Sequence, residues 1–126
     1  MSEAKKILIV EDDDVTRELM RRTLARQGYD VTAAADGIEA YDLALRLRPD
    51  LIITDIHMPA ADGAHLVRRI RDTPELLITP IIVTTGYGTG SATLTLSQGA
   101  DAFEPKPVDP ARLLESVGRL LSKETL

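Results

Sequence analysis

The sequence predicts an α/β fold: a parallel sheet of five strands with helices on both faces. Two observations carry this. Short aliphatic runs alternate along the whole chain with segments of helical period. The runs are apolar at consecutive positions rather than at every second one, as strands need when both faces are covered.

The elements follow in order. Ile7 to Val10 is an all-aliphatic strand bounded by charge. From Val15 to Gln27 a helix carries Val15, Leu19, Met20, Thr23 and Leu24 on one side, and Gly28 stops it at the C′ position. Tyr29 to Ala34 reads as the second strand. Ile38 to Leu47 is a helix with Ala40, Ala44 and Leu47 on one face, ended by Pro49. Leu51 to Thr54 is the third strand. The third helix, Gly63 to Asp72, groups Leu66, Val67 and Ile70. Pro80 precedes the fourth strand, Ile81 to Val83.

Residues 89–98, TGSATLTLSQ, are the weakest helix of the set. Thr and Ser are poor interior helix formers, and Gly86, Gly88 and Gly90 crowd its entrance. A short, frayed helix is expected there. Asp101 to Glu104 is the fifth strand. Ala111 to Leu121 is the last helix, amphipathic through Leu113, Leu114, Val117, Leu120 and Leu121, with Pro110 suited to its first turn.

Bulk properties narrow the function. A chain of 126 residues that is 44% hydrophobic can bury one good core. With one Phe, three Tyr and no Trp, that core is aliphatic. A net charge of −5 supplies no basic footprint for nucleic acid. The absence of cysteine rules out disulfides and thiolate metal sites, and fits the cytosol as well as other compartments. The N-terminus turns acidic after four apolar residues, unlike a signal peptide, and no run nears the roughly 18 apolar residues of a membrane span.

In sheets of this kind the working groups lie beyond the carboxyl ends of the strands. Glu11 and Asp12 follow strand one, Asp55 follows strand three, Thr84 and Thr85 close strand four, and Lys106 follows strand five. Three carboxylates in one place repel. Two unit charges about 4 Å apart cost roughly 4 kcal/mol at an effective dielectric near 20. A lysine and a divalent cation relieve this. All-oxygen ligands select a hard metal, Mg²⁺ first and Mn²⁺ as its substitute. A carboxylate nucleophile, a metal, a lysine and a hydroxyl together suit phosphoryl transfer.

These residues resemble a known family. ILIVEDD at 7–13, DIHMPAADG at 55–63, IIVTTG at 81–86 and EPKP at 104–107 are similar to the motifs of receiver domains of bacterial two-component response regulators, chemotaxis-type receivers included. All four words occur in order, over essentially the whole chain.

The resemblance implies a doubly wound, flavodoxin-like (βα)5 fold with strand order 2-1-3-4-5, in one domain over residues 1–126. It implies Asp55 as phosphoacceptor, and Glu11, Asp12, Asp55 and the backbone carbonyl of His57 at a Mg²⁺ ion. It implies Thr85 and Lys106 on the phosphoryl oxygens, and Phe103, with Thr85, as the switch. The phosphoryl donor would be a histidine kinase or histidine phosphotransfer protein. The readout would be a downstream protein or a homodimer, through the face of the fourth helix, fifth strand and fifth helix. Chemistry would be confined to the domain's own aspartate, so the chain is not expected to be an enzyme in the ordinary sense. A cytoplasmic place, without direct nucleic-acid binding or membrane insertion, goes with this.

Other residues have plainer readings. Asp13 or Asp14 caps the first helix. Asp62 belongs to a turn, His65 to the surface of helix three, and Thr84 to a buried strand. Gly86 leaves room beside the key threonine, next to Tyr87. The stretch from Thr85 to Lys106 is slightly shorter than the family's usual one. A haloacid-dehalogenase-type phosphatase would want a second aspartate where His57 stands, and a cap insertion. A flavin-binding protein would want a Ser/Thr-rich loop where this chain is acidic after strand one. A receiver-like module that never takes phosphate is the remaining rival. Met1 and the short polar tail suggest a stand-alone receiver over a segment of a larger regulator or hybrid kinase.

Overall fold

A computed structural model of the chain describes residues 3–56, 63–86, 96 and 99–123. Within them lie β1 (Lys6–Val10), α1 (Asp14–Ala25), β2 (Asp30–Ala34), α2 (Gly37–Leu47), β3 (Leu51–Asp55), α3 (Gly63–Arg71), a 3₁₀ turn (Pro74–Leu76), β4 (Ile81–Thr85), β5 (Ala102–Pro105) and the C-terminal helix α4 (Pro110–Lys123). The expected helix over 89–98 lies outside the described residues, apart from Leu96.

The five strands form one sheet in the order β2-β1-β3-β4-β5, every pair parallel. That is the expected order. Alternate residues of the same strands build two cores. Leu8, Val10, Ile52, Ile81 and Val83 meet α2 and α3 through Ala40, Ala44, Val67 and Ile70. Ile7, Ile9, Leu51, Ile53 and Ile82 meet α1 and α4 through Met20, Leu24, Leu113 and Val117. β3 and β4 are buried at every position, which is why their sequences show no polar alternation.

Local chemistry sets the helix ends. Asp13 is the N-cap of α1 and accepts from the Thr16 amide at 2.8 Å. Asp36 does the same for α2, from the Glu39 amide at 2.9 Å. Arg48 leaves α2 with φ 48°, in the left-handed region. It precedes Pro49, whose ring disfavours a helical residue before it.

Two expectations about α1 need correction. Met20 and Leu24 are buried, but Val15 and Leu19 are 77% and 55% exposed. Positions 20 and 24 form one ridge against the sheet and α4, and the ridge of 15 and 19 is rotated away from it. The helix also ends at Ala25, with Arg26 as its C-cap, so Gly28 (φ 94°) lies two residues beyond the cap rather than one.

Two polar features, one half-buried and one buried, had no sequence signal. Arg71, at the end of α3, donates to the carbonyls of Gly99 (2.9 Å), Leu76 (3.4 Å), Leu77 (3.1 Å) and Thr79 (2.8 Å) and pairs with Asp101. Glu104, the buried residue of β5, accepts from the Ser116 hydroxyl of α4 at 2.6 Å.

Candidate functional site

The strand order reverses beside β1, so the carboxyl ends of β1 and β3 flank a crevice where no crossover helix lies. Val10 pairs with Thr54, which sets Glu11 beside Asp55. Asp55 in turn pairs with Thr84 on β4. At the end of β5 the Lys106 amide donates to the Thr85 carbonyl at 2.8 Å, which draws the lysine to the same edge.

The structure thereby gathers residues separated by up to 95 positions. Oxygens of Glu11, Asp12 and Asp55 lie within 4.8 Å of one another. Glu11 and Asp55 are buried, Asp12 exposed. The Lys106 ammonium reaches both buried acids, 2.9 Å from Glu11 Oε1 and 3.0 Å from Asp55 Oδ2. Glu11 Oε2 accepts from the Asp13 amide at 3.0 Å. Thr85 is buried, with its backbone at the same strand end.

The electrostatics follow from burial. Loss of water raises the Glu11 carboxyl above its ordinary range, and the Asp55 charge adds to this, while Lys106 and the Asp13 amide only partly offset it. For Lys106 burial alone would lower the value, but the two facing carboxylates outweigh it and hold the ammonium above its ordinary value. Among the described residues, Lys106 thus pairs with two of the three clustered acids, Glu11 and Asp55. Glu11 Oε1 is buried and has no hydrogen bond of good geometry, only the ion pair. That oxygen, and three carboxylates within one ion's reach, fit a hard divalent cation.

Glu11, Asp12, Asp55, Lys106 and the backbone of Thr85 thus come together, and His57 lies outside the described residues with Met58, Pro59, Asp62 and Tyr87. His65 is an exposed residue of α3, and Thr84 is buried, as expected. Phe103 is 39% exposed on β5. At Gly86 a Cβ would sit 3.6 Å from Lys106 Cβ, an ordinary contact, so space alone does not demand glycine there. Sequence reasoning missed Arg17. Its guanidinium donates to the Glu11 carbonyl at 2.9 Å. An arginine one turn into the helix after an acidic strand end was the signal available.

A sequence profile described as "Response regulator receiver domain" matches residues 7–118. The chain belongs to that family. Receiver domains of this family act in two-component signalling, among response regulators and histidine kinases alike. Response regulator MprA of Mycobacterium sp. (strain KMS) is 40% identical over 119 residues, which cover 94% of this chain and 51% of that protein. The chain spans about half the length of the curated relatives it matches. A putative response regulator from Chloroflexus aurantiacus J-10-fl superposes with a TM-score of 0.90 at 34% identity, over 95% of this chain and 99% of that one. The receiver domain of sensor histidine kinase PA1611 from Pseudomonas aeruginosa PAO1, with magnesium coordinated in its active site cleft, gives 0.88 at 33%, over 94% and 98%. Among this receiver's described residues no helix is long and apolar enough to cross a membrane.

Proposed function

We propose that Asp55 accepts a phosphoryl group from a histidine kinase or histidine phosphotransfer protein, and that the charge so placed switches binding of a downstream partner. The observation that supports it best is the Lys106 ammonium held between Glu11 and Asp55 at the strand ends.

A carboxylate oxygen of Asp55 attacks phosphorus, the new O–P bond forms as the P–N bond to the donor imidazole breaks, and the imidazole leaves with the electron pair. Mg²⁺, with Mn²⁺ as substitute, would be held by Glu11, Asp12, Asp55 and the His57 carbonyl, and supplies charge neutralisation on the transferring oxygens. Lys106, already beside Asp55, moves onto a phosphoryl oxygen. The Thr85 hydroxyl donates to another. Phe103, now partly exposed, turns inward as Thr85 moves, which changes the surface around β4 and β5. That face could join two copies of the chain or carry the downstream partner. Hydrolysis of the acyl phosphate by the domain itself resets the switch. The reading places one receiver domain over residues 1–126, in the cytoplasm, with no direct role in nucleic-acid binding.

Labelling with a radioactive phosphohistidine donor or acetyl phosphate tests it. Wild type should take label only with Mg²⁺ or Mn²⁺ present, and Asp55→Asn should take none. Equal labelling of the two, or of neither under any divalent cation, would sink the proposal.

A further inference from the structure

The loop from β1 into α1 carries two of the three clustered carboxylates, and two of its backbone carbonyls, of Glu11 and Asp12, face the Arg17 side chain. The next carbonyl, of Asp13, takes the first helical bond of α1. Arg17 Nη1 lies 2.9 Å from the Glu11 oxygen and 3.5 Å from that of Asp12. The Arg17 amide donates to the Asp13 oxygen at 2.9 Å. The other guanidinium nitrogen, Nη2, is paired with the Asp14 carboxylate. Arg17 is the more buried partner of that pair, at 23% exposure against 88% for Asp14.

This arrangement needs a planar fork. One edge holds backbone carbonyls while the other is fixed by Asp14, and an ammonium on a flexible stem presents no such pair of directions. With its carbonyls held this way, the loop turns the Asp13 amide onto Glu11 Oε2. The Glu11 carboxylate is therefore aimed before any cation arrives.

We propose that Arg17 is a positioning residue for the divalent cation: it orients Glu11 and Asp12 through their backbone carbonyls without touching the ion. This rests on the metal reading of the site given above. A positive side chain near a cation site should weaken binding, so its removal should tighten it. Positioning demands the reverse. The ion pair with Asp14 cancels much of the Arg17 charge at this range, which leaves orientation as the larger effect.

The test is calorimetric titration of Mg²⁺ into the full chain, for wild type, Arg17→Gln and Arg17→Lys at fixed ionic strength. Both variants should bind about tenfold more weakly, the scale seen when groups that orient metal ligands are removed. Arg17→Lys keeps the charge and folds without leaving an uncharged stem, so its failure to restore affinity isolates the fork. In metal-free protein the Asp13 amide should lose hydrogen-exchange protection in both variants, while amides of β3 keep theirs. The half-saturating Mg²⁺ for acetyl phosphate labelling should rise by the same factor as Kd. Affinity unchanged or tightened in Arg17→Gln, or restored by Arg17→Lys, overturns the inference. A wild type that takes up no Mg²⁺ overturns the metal reading on which it stands.

Discussion

Asp12→Asn should make the metal-free protein more stable and the Mg²⁺-bound protein less so. Asp12 is exposed, caps no helix and lies no more than 4.8 Å from oxygens of both Glu11 and Asp55. At that separation a pair of like charges costs about 1 kcal/mol at the dielectric of water and about 3.5 kcal/mol at an effective value near 20. The exposure of Asp12 puts its two pairs at the watery end, and Lys106 offsets part of the repulsion. Neutralising it should release on the order of 1 kcal/mol. For a domain of this size that is about 3–6 °C in Tm. With the cation at 100 times its Kd, wild type should gain about 2.7 kcal/mol. The variant has one carboxylate fewer to offer and should gain far less. The two stability orders therefore cross. Urea unfolding followed by circular dichroism, in EDTA and then in Mg²⁺, measures both arms, and added salt should shrink the metal-free gain. A variant destabilised in EDTA would refute the repulsion argument. One that gains as much from Mg²⁺ as wild type would refute Asp12 as a ligand.

Lys106→Met should cost about 3–5 kcal/mol in metal-free protein at neutral pH, because it leaves Glu11 and Asp55 buried without their cation. Glu11 is raised above 4.5 in the folded state, so its proton-linked stability is full below 4.5 and lost as pH climbs through the raised value. The Lys106→Met deficit should therefore shrink as urea midpoints are taken from pH 8 down to about 4.5. Wild type should also lose stability above pH 10.5, as the raised Lys106 value is crossed and the ammonium deprotonates. Gly99→Ala should destabilise more than Gly28→Ala. Both glycines have positive φ, which costs a side chain about 1–2 kcal/mol. Only at Gly99 would the added Cβ also fall 2.6 Å from Arg71 Cγ, with nothing within 4 Å at Gly28. Equal losses in thermal melts would contradict the packing around Arg71.

By itself the sequence determined the architecture and named the candidate site residues. Aliphatic runs such as Leu51 to Ile53 and Ile81 to Val83 can be satisfied only by burial on both faces, so a covered parallel sheet followed from local pattern alone. Motif order then named Glu11, Asp12, Asp55, Thr85 and Lys106 before any distance was known. The tertiary structure decided what local pattern does not encode. A helical stripe did not reveal that Met20 and Leu24 face the core while Val15 and Leu19 face outward, because that depends on how α1 sits against β1, β2 and α4. Nor did it show that Lys106 bridges two acids, that Arg71 ties down four carbonyls, or that Arg17 gathers the loop after β1. Each of these contacts joins a side chain to backbone or charge brought near only by folding. The direction of a long cationic side chain is set by the partners that burial leaves unsatisfied, and those exist only once the sheet has assembled.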